Sequence, residues 1–194
     1  MQGNFSTKTV VWSLTGLIFL LYLLGVFWSF EPSELDIRAE VKKDATAENV
    51  APVIGYTTTT ALIRVSETLL NKPGGYLSND ALPPSVFLDN IPAWEFGVLE
   101  MVRDLSLIMR KDFSRSQSQS LEDEYLKKAH PLFNIDHKSW AMPSAEGEYG
   151  DAIKLLYRYR AALSNSEDPS QFYARTDNLR DWINEATKRL GSYS

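Results

Sequence analysis

The pattern of apolar and charged positions divides the chain into a long apolar run and a longer amphipathic part. Residues 9–30, TVVWSLTGLIFLLYLLGVFWSF, contain no charged side chain. As a helix this run would span about 33 Å, enough to cross the hydrocarbon core of a bilayer. Trp12 and Trp28 lie near its two ends, where membrane helices favour aromatic anchors. The run therefore predicts a transmembrane helix.

A cleaved signal peptide is the alternative interpretation of the same run. Such a peptide has a shorter apolar core and small residues before its cleavage site. Here the run ends in the bulky sequence VFWSF, which suits a signal peptidase poorly. We therefore expect the helix to remain on the mature protein as an anchor.

The charges on either side of the run predict its orientation. Lys8 precedes it, and the first charged residues after it, Glu31, Glu34 and Asp36, are acidic. Because positive residues stay in the cytoplasm, residues 1–8 are predicted to be cytoplasmic. The C-terminal part is then predicted to lie outside the membrane, in the periplasm of a Gram-negative bacterium.

Beyond the apolar run the chain is predicted to be helical. Residues 31–50 are charged and lack aromatic side chains, so we expect a juxtamembrane tether that is at most partly helical. Residues 51–194 place apolar side chains at helical spacing, without the alternation that is typical of a strand. The predicted fold class is all-α: an N-terminal transmembrane helix followed by a helical, bundle-like domain with long ordered loops.

Local signals set the predicted helix boundaries. Pro92 is a favourable first-turn residue, Ser120 and Asp123 resemble a capping box, and Ser144 resembles an N-cap. The predicted helices are 60–70, 92–113, 121–130 closed by His130-Pro131, 145–164, and a fifth that begins at Asp168-Pro169 and ends at a Gly191 cap.

Residues 71–90, NKPGGYLSNDALPPSVFLDN, are predicted to be an ordered crossover between the first two helices of the domain. Their prolines and glycines oppose a regular helix, whereas their apolar content argues against disorder. We expect four side chains to pack on the helices, with Phe87 or Leu88 substantially buried: Tyr76, Leu82, Phe87 and Leu88. The alternative is a loop that binds a ligand or partner, with the candidate residues Gly74, Gly75, Tyr76, Asn79 and Asp80.

The last predicted helix has a coiled-coil-like apolar seam with aromatic and arginine side chains beside it. Phe172, Leu179 and Ile183 share the seam and are predicted to be core residues. Because Tyr, Trp and Arg are enriched at protein interfaces, the offset residues are predicted to bind a partner: Tyr173, Arg175, Arg180 and Trp182. The alternatives are core packing with a salt-bridged outer face, or contact of the arginines with phospholipid headgroups.

Composition narrows the chemistry further. The 194-residue chain has no cysteine and a formal net charge of -5, which excludes thiolate metal sites and disfavours nucleic acid as a partner. His130 and His137 are its two histidines. Their spacing, interrupted by Pro131, does not suit a helical metal site. We therefore predict no metal, no cofactor and no catalytic residue.

Several stretches together resemble one bacterial family. They are LNKPGGYLSNDALPPSVFLDNIPAWEFG, MRKDFSRSQSQS, DEYLKKAHPLFNIDHKSW and LYRYRAAL. These stretches are similar to the uncharacterised proteobacterial family called domain of unknown function 2333, from the anchor to Leu190. The resemblance implies a single-pass inner-membrane protein of gammaproteobacteria with most of its chain in the periplasm. Members of that family continue with more helix, which leaves open that this domain is truncated at its C-terminus, and the family brings no known activity.

Together these patterns predict a membrane-anchored periplasmic interaction or scaffold protein of the cell envelope, with an envelope protein as its partner. Two other classes remain as alternatives: an envelope-acting enzyme, such as a peptidoglycan or lipid hydrolase, and a lipid-binding helical module. A deep pocket that gathers His130, His137 and acidic groups would favour the enzyme, and a long apolar tunnel would favour the lipid-binding module. A grooved or flat aromatic surface would favour the interaction protein.

Overall fold

The computed structural model describes residues 6–117 and 119–192. Within these ranges the chain forms seven α-helices and no strand, so the predicted all-α class is confirmed. The helices are α1 Thr7–Trp28, α2 Ile37–Glu48, α3 Tyr56–Asn71, α4 Asn90–Ile108, α5 Glu124–Phe133, α6 Ala145–Leu163 and α7 Thr176–Ser192. A 3-10 helix, Ser85–Phe87, precedes α4, and a π-helical turn, Met109–Phe113, extends it.

Helix α1 is the predicted apolar run, displaced by two residues toward the N-terminus. Its most apolar window has a mean hydropathy of 2.3. Nearly all of its side chains are exposed, and Gly25 is buried. Its length and composition suit a membrane span, and the same properties suit a signal sequence near an N-terminus.

Helix α2 lies inside the expected tether, so the folded part of the chain begins at Ile37 and not after residue 50. Asp36 caps the helix by accepting a hydrogen bond from the Ala39 N–H at 3.1 Å. Asn49 ends it in the left-handed region, with φ 54°. Asp44 and Ala45 are buried. Asp44 therefore packs against the domain, and α2 is part of the folded structure although most of its charged side chains are exposed.

Helix α3 begins at Tyr56, four residues earlier than its sequence indicates. Threonine is a poor helix former, but Thr59 and Thr60 are fully buried (0%). The Thr59 hydroxyl donates to the Gly55 carbonyl at 2.8 Å. Burial in the core and satisfied hydroxyl groups therefore outweigh the low intrinsic propensity.

Helices α4 and α5 correct three boundary predictions. Helix α4 begins at Asn90, two residues before Pro92. Asp123 is itself the N-cap of α5 and accepts from the Tyr125 and Leu126 N–H groups, so the predicted capping box is wrong. Helix α5 also continues past Pro131 to Phe133, because a proline in the last turn removes one backbone bond without ending the helix.

The predicted start of α6 agrees with the structure, whereas the predicted boundaries of α7 do not. Ser144 caps α6 by accepting from the Gly147 N–H at 3.2 Å, as predicted. Helix α7 begins at Thr176 and not at Asp168. It also includes Gly191 and ends at Ser192, so the predicted glycine cap is wrong.

The predicted apolar seam is also wrong for two residues of α7. Leu179 is 46% exposed and Ile183 is 50% exposed, so neither belongs to the core. Phe172 does pack on the core, where its ring stacks on Phe113 with centroids 4.9 Å apart. Arg189 links α7 to α4 by pairing with carboxylates of α4 at 2.9 Å and 2.7 Å. The half-buried Trp182 shares a pocket with Leu105 of α4, so both ion pairs and apolar contact hold α7 to the domain.

Helices α3 to α6 pack around one apolar core. The end of α6 meets the start of α3 through Arg160 and Thr60, and the end of α3 meets the start of α4 through Lys72 and Glu95, so these neighbours run antiparallel and their loops gather at two ends. At the proximal end, next to α1, lie the α3–α4 segment and the α5–α6 loop. At the distal end lie the segments that precede α3, precede α5 and follow α6. The core includes Leu62, Ile63, Leu69, Leu99, Val102, Met109, Leu126, Phe133, Tyr149 and Leu156.

Candidate functional site

The segment 71–90 lies where α1 meets the helical domain. Trp28 packs on Gly74, whose φ of +85° is in the left-handed region, and a Cβ at that position would come within 2.8 Å of the indole. One turn earlier, a Cβ on Gly25 would lie 3.4 Å from the Pro84 side chain. Both the conformation and the available space therefore favour glycine at position 74. The segment is the platform on which α1 docks.

A buried ion pair fixes the inner side of this platform. Lys72 Nζ lies 2.6 Å from Glu95 Oε1, and both side chains are fully buried (0%). The lysine also donates to the Gly75 carbonyl. The glutamate accepts from the backbone N–H groups of Leu77 at 2.8 Å and Ser78 at 2.7 Å. Because a buried charge is tolerated only when it is paired and hydrogen-bonded, the loop is shaped around this pair.

Asn79 and Tyr76 connect the platform to the α5–α6 loop and to α6. Asn79 Nδ2 donates to the Ser139 carbonyl at 2.9 Å and to the Glu146 carboxylate at 2.8 Å. The Tyr76 ring meets the Tyr149 ring edge-on, with centroids 5.5 Å apart. Burial raises the pKa of both phenols. The two proximal loops therefore form one joined surface.

The remaining candidate residues of the loop form turns. Gly75 has φ +69°, and its N–H donates to the Lys72 carbonyl at 2.9 Å. The Asp80 N–H donates to the Leu77 carbonyl at 3.2 Å. Desolvation raises the pKa of the Asp80 carboxyl above its ordinary value. The structure thus gives the glycines a conformational role and leaves Asp80 at the surface.

The outer side of the platform contradicts two of the packing predictions. Leu82 is 76% exposed and Phe87 is 80% exposed, so neither folds down onto the helices. Leu88 is half-buried and lies close to Gly25. Leu77, which the pattern did not single out, is 2% exposed and belongs to the interior. The segment is ordered, but its largest apolar side chain points away from the core.

The four candidate partner-binding residues lie in different settings, since Tyr173 and Arg175 precede α7 and Arg180 and Trp182 belong to it. The Tyr173 N–H donates to the Phe113 carbonyl at 2.6 Å, and Arg175 donates to a backbone carbonyl of the segment after α4 at 3.1 Å. Trp182 is half-buried in a pocket of about 210 Å³ beside aromatic side chains of the core. Arg180 has a side chain that is 72% exposed. Arg175 and Arg180 are therefore exposed, whereas Tyr173 and Trp182 are half-buried.

A second buried charge cluster lies at the distal end, and sequence reasoning missed it. Arg160, whose side chain is 1% exposed, contacts Asp44 at 2.6 Å and Glu48 at 2.5 Å. Arg64 shares the same Asp44, and the Tyr56 ring lies 4.8 Å from the Arg160 guanidinium. The cluster joins α2, α3 and α6.

The two histidines have separate partners. His130 Nδ1 lies 3.0 Å from Ser106 Oγ, and burial lowers its pKa to about 4. The His137 ring lies 4.9 Å from the Phe96 ring and 3.7 Å from Asp136, and burial lowers its pKa as well. Within the described ranges, no group of three or more His, Asp or Glu side chains is arranged to hold a metal ion.

These features define the class of protein: an all-α domain that packs, through the segment 71–90, against the C-terminal end of one long apolar helix. The model of one family, described as an uncharacterised protein conserved in bacteria (DUF2333), matches residues 2–194. The chain belongs to this family, as its loop and helix motifs indicated. No curated protein and no solved structure matches it.

Proposed function

We propose that the protein is a membrane-anchored interaction protein of the bacterial cell envelope. In this proposal residues 1–8 are cytoplasmic, α1 spans the inner membrane, and the helical domain lies in the periplasm. The observation that carries the proposal is α1 itself. It is uncharged after Lys8, long enough to cross a bilayer, and exposed on nearly every face outside its contact with the domain.

The docking of α1 supports a retained anchor over a cleaved signal peptide. Trp28 fills the space over Gly74, and Gly25 receives Pro84. Cleavage after α1 would remove both contacts and uncover the apolar platform beneath them. The acidic residues that follow α1 and Lys8 before it support a domain outside the cytoplasm.

A topology reporter and membrane extraction test the anchor. Alkaline phosphatase fused after Ser194 is expected to be active in cells, and full-length protein is expected to stay in the membrane pellet after an alkaline carbonate wash. The same fusion on a chain without residues 1–30 is the control and is expected to be inactive. A soluble periplasmic protein trimmed at its N-terminus, or an inactive full-length fusion, would contradict the proposal.

The outward face of α7 is the proposed surface for an envelope protein. Leu179, Ile183 and Leu190 are 46%, 50% and 66% exposed, and Arg180 lies beside them. Exposed apolar rows next to arginine are typical of protein interfaces. The proposal therefore keeps the helix that the sequence indicated and places its apolar seam toward the partner.

Charge substitutions on α7 test this surface by crosslinking in intact cells. Ile183→Asp and Arg180→Glu are each expected to reduce recovery of the partner about thirtyfold, the loss that corresponds to a 2 kcal/mol contact. Helicity measured by circular dichroism is expected to stay unchanged. Lys154→Glu, on the exposed side of α6, is the matched control. Undiminished recovery with both α7 variants would place the interface elsewhere.

A further inference from the structure

The segment 82–88, LPPSVFL, presents an uncharged apolar surface at the proximal end. Leu82, Val86 and Phe87 are 76%, 54% and 80% exposed. Exposed large apolar side chains that lie close together mark an interaction surface. An exposed phenylalanine does not add to folding stability, because its apolar surface stays in contact with water. Contact with an apolar environment would remove that surface from water.

The position of this segment along α1 identifies that environment. Pro84 lies against Gly25, which is three residues, or about 4.5 Å, before the end of the helix. Leu21, Leu24 and Trp28 are half-buried on the same face of α1, a stretch of about 10 Å along its axis. Anything that touches this face lies at the depth of the last two turns of the span. In a bilayer that depth is the headgroup region and the adjoining acyl chains.

The backbone of the segment is suited to such a place. Unpaired N–H groups are costly away from water, and the two prolines of the segment have none. The Phe87 N–H donates to the Pro84 carbonyl at 3.0 Å, and the Leu88 N–H donates to the Ser85 carbonyl at 2.8 Å. The Ser85 hydroxyl donates to the Leu82 carbonyl at 2.8 Å. The segment thus meets much of its own hydrogen-bonding demand.

The α5–α6 loop extends the same surface. It is joined to the platform through the hydrogen bond from Asn79 to Ser139. The next residues along the chain, Trp140 and Met142, are 76% and 97% exposed. Tryptophan is favoured at the boundary between headgroups and acyl chains. The stretch WAMP carries no charge, which indicates contact with apolar lipid and not with a particular anionic headgroup.

We propose that residues 82–87, together with Trp140 and Met142, insert into the periplasmic leaflet of the membrane that α1 spans. This inference rests on the proposed anchoring by α1. The two loops act as a second, shallow membrane contact beside the span. The domain is then held against the bilayer by its loops as well as by its helix.

Single-cysteine labelling tests the insertion on the full chain. Because the natural sequence has no cysteine, Leu82→Cys, Phe87→Cys and Trp140→Cys each carry one label. An environment-sensitive fluorophore is attached, and the protein is reconstituted in vesicles of phosphatidylethanolamine and phosphatidylglycerol. All three labels are expected to shift to shorter emission wavelength and to be quenched several-fold by lipids that carry a nitroxide near the headgroup.

Two reference positions separate the possible results. Ile54→Cys labels an equally apolar, 69% exposed site at the distal end, where no quenching is expected. Leu20→Cys labels the middle of α1, where a nitroxide deep in the acyl chains is expected to quench. If the label at Leu20 is quenched but the labels at Leu82 and Phe87, like the label at Ile54, are not, the insertion is overturned and the anchor stands. Absence of quenching at Leu20 would overturn the anchor and, with it, the insertion.

A third result is distinguishable from both. A blue-shifted label at Phe87 that lipid nitroxides do not quench would show contact with protein, and it too would overturn the insertion. Thermal melting of each labelled variant by circular dichroism provides the folding control. Because the three labelled side chains are at least 76% exposed, the melting temperatures are expected to match that of the parent.

Discussion

At the proximal end of the domain one lysine and one glutamate share a fully buried site, whereas at the distal end two arginines and four carboxylates form a network. The proximal pair, Lys72 and Glu95, fixes a loop to the first turns of the helix that follows it. The distal cluster connects residues as far apart in sequence as Asp44 and Arg160. The first shapes a local surface, and the second determines how three helices are assembled.

This difference indicates where each end is sensitive to change. Removing one partner of a buried ion pair leaves an uncompensated charge, which costs about 3 to 5 kcal/mol. At the distal end, losing one partner is expected to destabilise the packing of α2, α3 and α6 against one another. At the proximal end, it is expected to destabilise first the loop on which α1 packs.

The largest expected effect is at the distal end, with Arg160→Ala. The substitution removes the buried guanidinium that pairs with Asp44 and Glu48, so that, among the described residues, Asp44 keeps only Arg64 as an ionic partner, and it also removes the cation–π contact to Tyr56. We expect the free energy of unfolding to fall by about 4 kcal/mol or more, measured by denaturant titration of the full chain in detergent. Arg158→Ala, on the exposed side of the same helix, is expected to change it by less than about 0.5 kcal/mol. Equal losses would mean that the network does not assemble the helices.

At the proximal end, Glu95→Ala is expected to cost about 3 kcal/mol, because it leaves the Lys72 ammonium buried and two loop N–H groups unpaired. The double variant Lys72→Met with Glu95→Leu is expected to recover the part of that loss that comes from the buried ammonium, whereas the N–H groups of Leu77 and Ser78 stay unpaired. Limited proteolysis would show whether the single variant opens the loop between α3 and α4 before the rest of the domain. Cleavage that begins at the distal end instead would remove the contrast between the two clusters.

The inner and outer sides of the proximal platform are expected to differ by about 2 kcal/mol or more. Leu77→Ala truncates a side chain that is 2% exposed and is expected to cost about 2 to 3 kcal/mol. Phe87→Ala removes a larger side chain that is 80% exposed and is expected to leave the melting temperature in detergent unchanged. A comparable loss from Phe87→Ala would show that Phe87 packs on the domain.

Lowering the pH is expected to reduce the stability of the domain through His130, which belongs to neither buried charge cluster. Burial lowers the pKa of His130 to about 4 in the folded protein, whereas an unfolded histidine titrates near 6.5. The stabilising contribution of neutral His130 is therefore complete above about pH 6.5 and is lost as the pH falls toward 4. Between pH 7 and pH 4.5 we expect the parent to lose about 2 kcal/mol more than His130→Gln, measured by denaturant titration at each pH. Identical losses would show that His130 is not the titrating group.

The sequence was sufficient for the features that depend on local pattern. The uncharged run predicted α1, helical periodicity predicted α4, and the Ser144 cap of α6 was placed correctly. Nothing local distinguished the acidic residues of α2 from those of a linker, because their partners Arg64 and Arg160 lie in other helices, and Arg160 lies 116 residues after Asp44. The repeat of Glu40, Asp44 and Glu48 at intervals of four was the available signal, since it places three carboxylates on one helical face.

The orientation of apolar side chains in irregular segments was the harder problem. In a helix, spacing tells which residues share a face, but the segment 71–90 has no period to use. Leu77 and Phe87 are equally apolar in the sequence, and the neighbouring Glu95 and α1 decide that one lies inside and the other outside. The prediction for the α7 seam was wrong for a related reason. Arg189 and the half-buried Trp182 determine which side of α7 faces the domain, and Leu179 and Ile183 are left largely exposed.

The contact of Trp28 with Gly74 has a consequence for the reach of the domain. A flexible link from Ser29 to Asp36 would let the domain move over about 25 Å relative to the end of α1. The contact of the Trp28 indole with Gly74 instead holds the domain at one distance and one angle from α1. If α1 spans a membrane as proposed, a partner would meet the same face of the domain at a constant distance from that membrane, and less rotational freedom would be lost on binding. Any side chain larger than hydrogen at position 74 would displace the Trp28 indole, and the domain would then be free to rotate relative to α1.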